Sequence, residues 1–173
     1  MKEALNALNS LKQTGVIEDY AIGGAIAASF YIEAVNTEDV DAFVFMSPGE
    51  GTLLLSLTSI YDALKQLGGI VEEEYVRFGE WPVQILPAYE PLVEEAVKNA
   101  ASVMYGDIAT RIFTPEFLCA IALDTGRLKD YYRVASFIEQ QQVNMGKLRE
   151  MVRQYGLEER TKNVLNWSRN EDR

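Results

Sequence analysis

The stretch Asn36 to Phe45, NTEDVDAFVF, constrains the fold more tightly than any other part of the chain. From Val40 onward it is apolar enough to read as a strand bound for the core, yet two aspartates stand at its mouth. Residues i and i+2 of a strand project on one face, so Asp39 and Asp41 point together while Val40 points to the other side. Two ionised carboxylates so placed repel each other unless a cation lies between them. The fold must therefore bury one face of this strand and open the other onto a site that receives positive charge.

The flanking sequence supplies the rest of such a sheet. Leu5, Leu8 and Leu11 have helical spacing over residues 2 to 13, and Gly15 ends that helix. A short strand, Tyr20 to Ile22, then runs into Gly23-Gly24 and a helix of small residues. After the Asp39/Asp41 strand, TLLLSLTSIYDALKQLGG reads as an amphipathic helix stopped at Gly68-Gly69. IVEEEYVRFGEWPVQIL is expected to form two strands around a turn near Phe78 to Trp81. Pro91 to Ala100 reads as a helix, and SVMYGDIATRIF as a hairpin with Gly106 at its tip.

From Thr114 the pattern is helical only. Thr114-Pro115-Glu116 offers an N-cap with proline at the first helical position, and Gly126 stops that helix. A second helix is expected from about Leu128 to Gln141, and two more are interrupted near Gly156. The fold class is mixed alpha and beta (α+β), a small mixed sheet flanked by helices with a C-terminal helical subdomain. Residues 1–112 are expected to form the core unit and 113–173 the helical one.

Composition excludes several chemistries. The 173 residues contain no histidine, which removes the usual general base and every Ser-His or Cys-His pair. The lone Cys119 lies in the apolar run FLCAIAL and reads as a buried small hydrophobe. With one cysteine no intrachain disulfide forms, and no run approaches the ~18 apolar residues of a membrane span. The expectation is a soluble cytoplasmic protein. A net charge of −10 argues against general affinity for DNA or RNA, which needs clustered cations. The charge is uneven: residues 1–110 carry 5 Lys and Arg against 17 Asp and Glu, while 111–173 carry 11 against 9.

Magnesium suits an Asp39/Asp41 pair, because it takes oxygen ligands, one or two of them carboxylates, and fills the remaining positions with water and phosphate oxygens. Gly23-Gly24, where a strand turns into a helix, lets backbone N–H groups approach a phosphate. The two features together point to phosphoryl or nucleotidyl transfer.

These residues resemble the nucleotidyltransferases of the DNA polymerase beta type, in a minimal bacterial branch that includes the AbiEii-like abortive-infection toxins. The resemblance rests on AIGGAIAASF, on Thr37, Asp39 and Asp41 in NTEDVDAFVF, and on Lys129-Asp130 in FLCAIALDTGRLKDYYRV, and it spans about residues 20 to 140. It implies a Mg2+-bound nucleoside triphosphate held by Gly23, Gly24, Thr37, Asp39 and Asp41, with Asp39 and Asp41 both catalytic and metal-binding. It also implies nucleotide transfer to a hydroxyl on a small molecule, a protein side chain or a tRNA end, and a toxin–antitoxin role with a cognate antitoxin as partner. Arg127 and Lys129 are the candidate phosphate contacts, and Asp130 either caps its helix or orients Lys129.

Two positions depart from the family pattern. Gln84 stands where catalytic members carry a third carboxylate, and an amide cannot serve as a base. Asp124 stands where the toxin branch often has lysine. Glu72 with Glu74, Glu73 on the opposite face of the same strand, or Glu80 at the turn are the acids that could replace the one missing at 84, unless EEE merely solubilises an edge. Tyr131, Tyr132, Phe30, Tyr31, Phe43, Phe45 and Phe113 are expected in the core, and the alternative to an enzyme is a degenerate binding or regulatory module.

Overall fold

A computed structural model describes residues 1–33, 37, 39–46 and 53–164. In chain order the elements are α1 (Lys2–Gln13), β1 (Asp19–Ile22), α2 (Gly24–Ala28), β2 (Val40–Phe45), α3 (Leu53–Gln66), β3 (Ile70–Glu72), β4 (Tyr75–Phe78), β5 (Trp81–Pro87) and α4 (Pro91–Lys98). They continue with β6 (Ala101–Tyr105), β7 (Ile108–Ile112), α5 (Pro115–Thr125), α6 (Leu128–Glu139), α7 (Met145–Gln154) and α8 (Glu158–Thr161). The sheet order is β3-β4-β5-β2-β1-β7-β6, with β2 beside β5 and β1 beside β7 running parallel and the other pairs antiparallel. The fold is thus the mixed sheet flanked by helices that the sequence leads one to expect.

Alternation along β2 sets the layers. Val40, Ala42 and Val44 are fully buried, whereas Asp41, Phe43 and Phe45 are only partly so. Across the sheet the same buried face carries Val83 and Ile85 of β5 and Val76 and Phe78 of β4. Helices α1 and α3 cover it, with Leu5, Leu8 and Leu11 of α1 and Ile60 and Leu64 of α3 inside. The opposite face, bearing Asp41, Phe43 and Gln84, is covered only in part by α4 and α5. Asp41 and Gln84 are left at an opening.

Helix α5 joins the sheet to the last helices. Its Phe117, Leu118, Cys119, Ala120, Ala122 and Leu123 are buried against α2 and α4 on one side and α6, α7 and α8 on the other. Thr114 takes the N-cap position with extended backbone, but its side chain makes no capping bond, and Pro115 opens the helix as expected. Gly126 closes it in the left-handed conformation. Tyr155, at the C-cap of α7, bonds to Glu95 of α4, and burial with that bond pushes its phenol up to about 12.

Three readings are corrected. Residues 70–87 form three strands, because Glu73 has a positive φ of 55° and Glu73-Glu74 make a two-residue hairpin turn between β3 and β4. The three glutamates therefore do not alternate along one strand, and Glu72 is paired with Arg77 at 2.7 Å. Tyr132 and Phe30 are exposed, at 58% and 38%, since each lies on the outer side of its segment. Phe113 is fully buried, and Phe43 and Phe45 pack against the core.

A buried polar relay fixes β1 to its neighbours. The Tyr20 hydroxyl meets Asn9 of α1 at 2.8 Å and the buried Thr110 of β7 at 3.1 Å. Tyr20→Phe strands one partner and should lower unfolding free energy by about 1–2 kcal/mol with an unchanged denaturant slope. Urea titration followed by circular dichroism checks this.

Candidate functional site

The site is built from the exposed end of β2 outward. Asp39 lies just before the strand and Asp41 within it, and their carboxylates lie on the same side of the sheet. The Thr37 hydroxyl donates to Asp39 Oδ1 at 3.0 Å and to the Asp39 carbonyl at 3.1 Å, which holds that carboxylate at the strand mouth. Burial, and then the charge of Asp39, push the Asp41 carboxyl above its ordinary range.

Gly23 and Gly24 serve this carboxylate directly. The Gly23 amide donates to the Asp41 carbonyl at 2.9 Å, tying the turn to β2. A Cβ at Gly23 would overlap the Phe43 and Phe113 rings, whose centroids are 4.8 Å apart. Gly24 has φ +56°, and a Cβ there would overlap the Asp41 carboxylate. The glycine pair is thus required by the seating of Asp41, whether or not a phosphate also approaches it. Gly24 lines the open cleft, and Gly23 lies beneath the two rings.

Opposite the carboxylates stands the start of α6. Asp130 is almost wholly buried and holds two guanidinium groups: Arg127 at 2.6 Å and 3.2 Å, and Arg133 at 3.6 Å. It also accepts from the Arg127 amide at 3.3 Å. Asp130 therefore caps its helix, one of the two roles expected for it, and organises Arg127 and Arg133 in place of Lys129. Lys129 lines the same cleft, exposed and without an ion pair among the described residues. The charges of Arg133, Arg127 and Lys129 all act on Asp41 and favour its ionised form, in that order of strength. Arg133 was missed by the sequence reading, although its spacing of three from Asp130 was a usable sign.

The cleft between these walls holds about 960 Å3, at the upper end of ligand-binding pockets. Its floor is apolar, from Phe43, Leu86, Phe113, Leu118 and Ile121, and Tyr75 and Tyr89 stand on its rim. Asp124, exposed on α5, also lines it. Gln84 is directly in register with Asp41 on the neighbouring strand, and Tyr75 is in register with Gln84 on the next. Trp81, half-buried, lies instead beside a shallow groove with Arg77 and Glu80. Among the described residues no third acid joins Asp39 and Asp41 in a metal-binding cluster.

The donor set fits one magnesium ion. Two carboxylates on one face, one of them destabilised by burial and by its neighbour, leave a position where a dication relieves the repulsion. A second ion would need an acid where Gln84 stands.

This order of strand, glycine turn, short helix and acid-bearing strand, with α6 closing the cleft, defines a nucleotidyltransferase-like fold. Among solved structures the chain is similar to an antigenic nucleotidyltransferase-like protein from Paracoccidioides brasiliensis, at 16% identity and a TM-score of 0.57 over 100% of this chain and 98% of that one. It is similar also to the antibiotic-resistance factor ANT(2'')-Ia, at 16% identity and a TM-score of 0.52 over 93% and 97%. No family model matches the chain, and no curated protein matches it. At this identity the likeness establishes the fold. Among the described residues no helix is long and apolar enough to cross a membrane.

Two outcomes follow from the seating of Asp41. Because its folded pKa lies above the ordinary 3.8, the folded state binds the proton more tightly than the unfolded one, and stability falls as pH rises from that value through the raised pKa. Asp41→Asn should therefore raise the melting temperature of the ligand-free protein at neutral pH, with the gain closing as the pH is lowered through that window. Gly24→Ala should cost about 1–2 kcal/mol or more, from the left-handed backbone together with the overlap. Thermal melts of both variants across pH check these directions, and a neutral-pH loss in Asp41→Asn contradicts the first.

Proposed function

We propose that the cleft binds a nucleoside triphosphate with magnesium and transfers its nucleotide to an acceptor hydroxyl. The observation that carries this reading is the pairing, across one cleft, of two carboxylates on one strand face with two guanidinium groups organised by one buried aspartate and the exposed Lys129 beside them. Carboxylates alone would suit any dication, and cations alone any anion. The two together fit a metal-bound polyphosphate. The nucleotidyltransferase-like fold supports the same assignment.

Asp39 and Asp41 would hold the magnesium, which when bound neutralises phosphate charge and activates an attacking oxygen. Thr37 keeps the Asp39 carboxylate turned to the strand mouth. Arg127 and Arg133, prearranged by Asp130, engage the phosphates through planar forks, and Lys129 adds a mobile point charge. The apolar floor around Phe43 and Phe113 excludes water from beneath the reacting groups. Gly24 admits the Asp41 carboxylate and leaves backbone open to the ligand.

The acceptor is a hydroxyl on a small molecule, a protein side chain or a tRNA end, and the acidic surface of residues 1–110 disfavours a long RNA. Membership of the AbiEii-like branch, with an antitoxin as partner and a cytoplasmic site of action, rests on the Gly-Gly, Thr-x-Asp-x-Asp and Lys-Asp residues. A second reading has one specific observation in its favour. Gln84 occupies the position in register with Asp41, which suits a module that binds the nucleotide without transferring it.

Calorimetric titration with ATP, GTP, CTP and UTP, with and without magnesium, tests the shared premise. We expect magnesium-dependent binding of at least one triphosphate, abolished in Asp39→Asn/Asp41→Asn. Arg127→Ala and Arg133→Ala should each weaken it about tenfold or more, a cost of about 1.4 kcal/mol. No binding at millimolar concentration, or unchanged affinity in the double variant, overturns the assignment. Pyrophosphate release separates transfer from binding alone.

A further inference from the structure

The row of side chains that crosses the sheet at Asp41 ends on a hydroxyl. Asp41 of β2 is in register with Gln84 of β5, and Gln84 with Tyr75 of β4, so all three project on the cleft face. Adjacent strands are about 4.8 Å apart, which sets the Tyr75 backbone about 10 Å from that of Asp41, with Gln84 on the strand between them. Tyr75 and Gln84 both line the cleft, and among the described residues the Tyr75 hydroxyl has no hydrogen-bond partner. The hairpin turn at Glu73-Glu74 fixes Tyr75 as the first residue of β4, at the edge where β2 begins.

Resting on the nucleotidyl-transfer reading above, we propose that Tyr75 is itself an acceptor, so that the protein nucleotidylates its own chain at this residue. The chemistry matches what the site lacks. An alcohol or water, with a pKa of about 16, needs a general base to attack phosphorus, and Gln84 cannot be one. A phenol is still far more acidic than an alcohol and depends less on such a base, although desolvation, and then the charge of Asp39, hold the Tyr75 phenol above its ordinary value in the ligand-free chain. Gln84 still offers an amide oxygen that can accept from the phenol and orient it.

In the step itself, Tyr75 Oη attacks the α-phosphorus of the bound triphosphate. An O–P bond forms, the bond between the α-phosphorus and the bridging oxygen breaks, and pyrophosphate leaves with that electron pair. The phenolic proton passes to water at the open mouth of the cleft. The product is a nucleoside monophosphate in phosphodiester linkage to tyrosine, and no oxidant or further reactant enters.

Intact-mass and peptide mass spectrometry on the full chain incubated with magnesium and each of the four triphosphates test this, alongside calorimetry on the same preparation. The expected result is binding, and a gain of one nucleoside monophosphate that maps to Tyr75. The gain should vanish in Tyr75→Phe and in Asp39→Asn/Asp41→Asn. Binding with no adduct, with an adduct on Tyr89 or elsewhere, or with one that persists in Tyr75→Phe overturns self-nucleotidylation and leaves the nucleotide site standing. Absence of binding in the parent chain overturns both.

Discussion

Asp41 is a carboxylate that the fold holds in an unfavourable place. Burial raises its pKa, Asp39 adds a like charge from the same strand face, and Gly24 yields the volume its oxygens occupy. Such an arrangement costs folding stability, and three cations on α6 offset only part of that cost. A fold with no use for the charge would do better with an amide or an apolar residue there. The arrangement makes physical sense when a cation and an anionic ligand complete it.

The rest of the architecture serves that carboxylate. Val40, Ala42 and Val44 lock β2 into the core, so its alternation cannot slip without exposing three buried side chains. Phe43 packs against Phe113, ring planes tilted by 41°, over Gly23, which fixes where the chain turns into α2. Helix α5, buried between the sheet and the last helices, sets the distance of α6 from β2. Asp130, buried at the start of α6, then aims Arg127 and Arg133 across the gap.

Much of this was legible in the residues. The period-two pattern of β2, the glycine stops at 15, 68, 106 and 126, and the Pro115 start of α5 are local signals, and the elements follow them closely. The three-residue strand β3 was not legible, because EEEY carries no turn residue and Glu73 adopts a positive φ that its type rarely takes. The site divides along the same line. Asp39 and Asp41 share a face by local geometry, whereas the role of Arg133 depends on tertiary packing of α6 against the cleft. Gln84 was singled out by resemblance, and only strand pairing puts it level with Asp41 and Tyr75.

The most direct measurement is a crystal structure of the chain with manganese in place of magnesium and a non-hydrolysable nucleoside triphosphate analogue, read by the anomalous signal of the metal. The account predicts a manganese ion bridging Asp39 and Asp41, with the phosphates reaching Arg127, Lys129 and Arg133. Metal bound away from that pair, or phosphates lying on another surface, would contradict it.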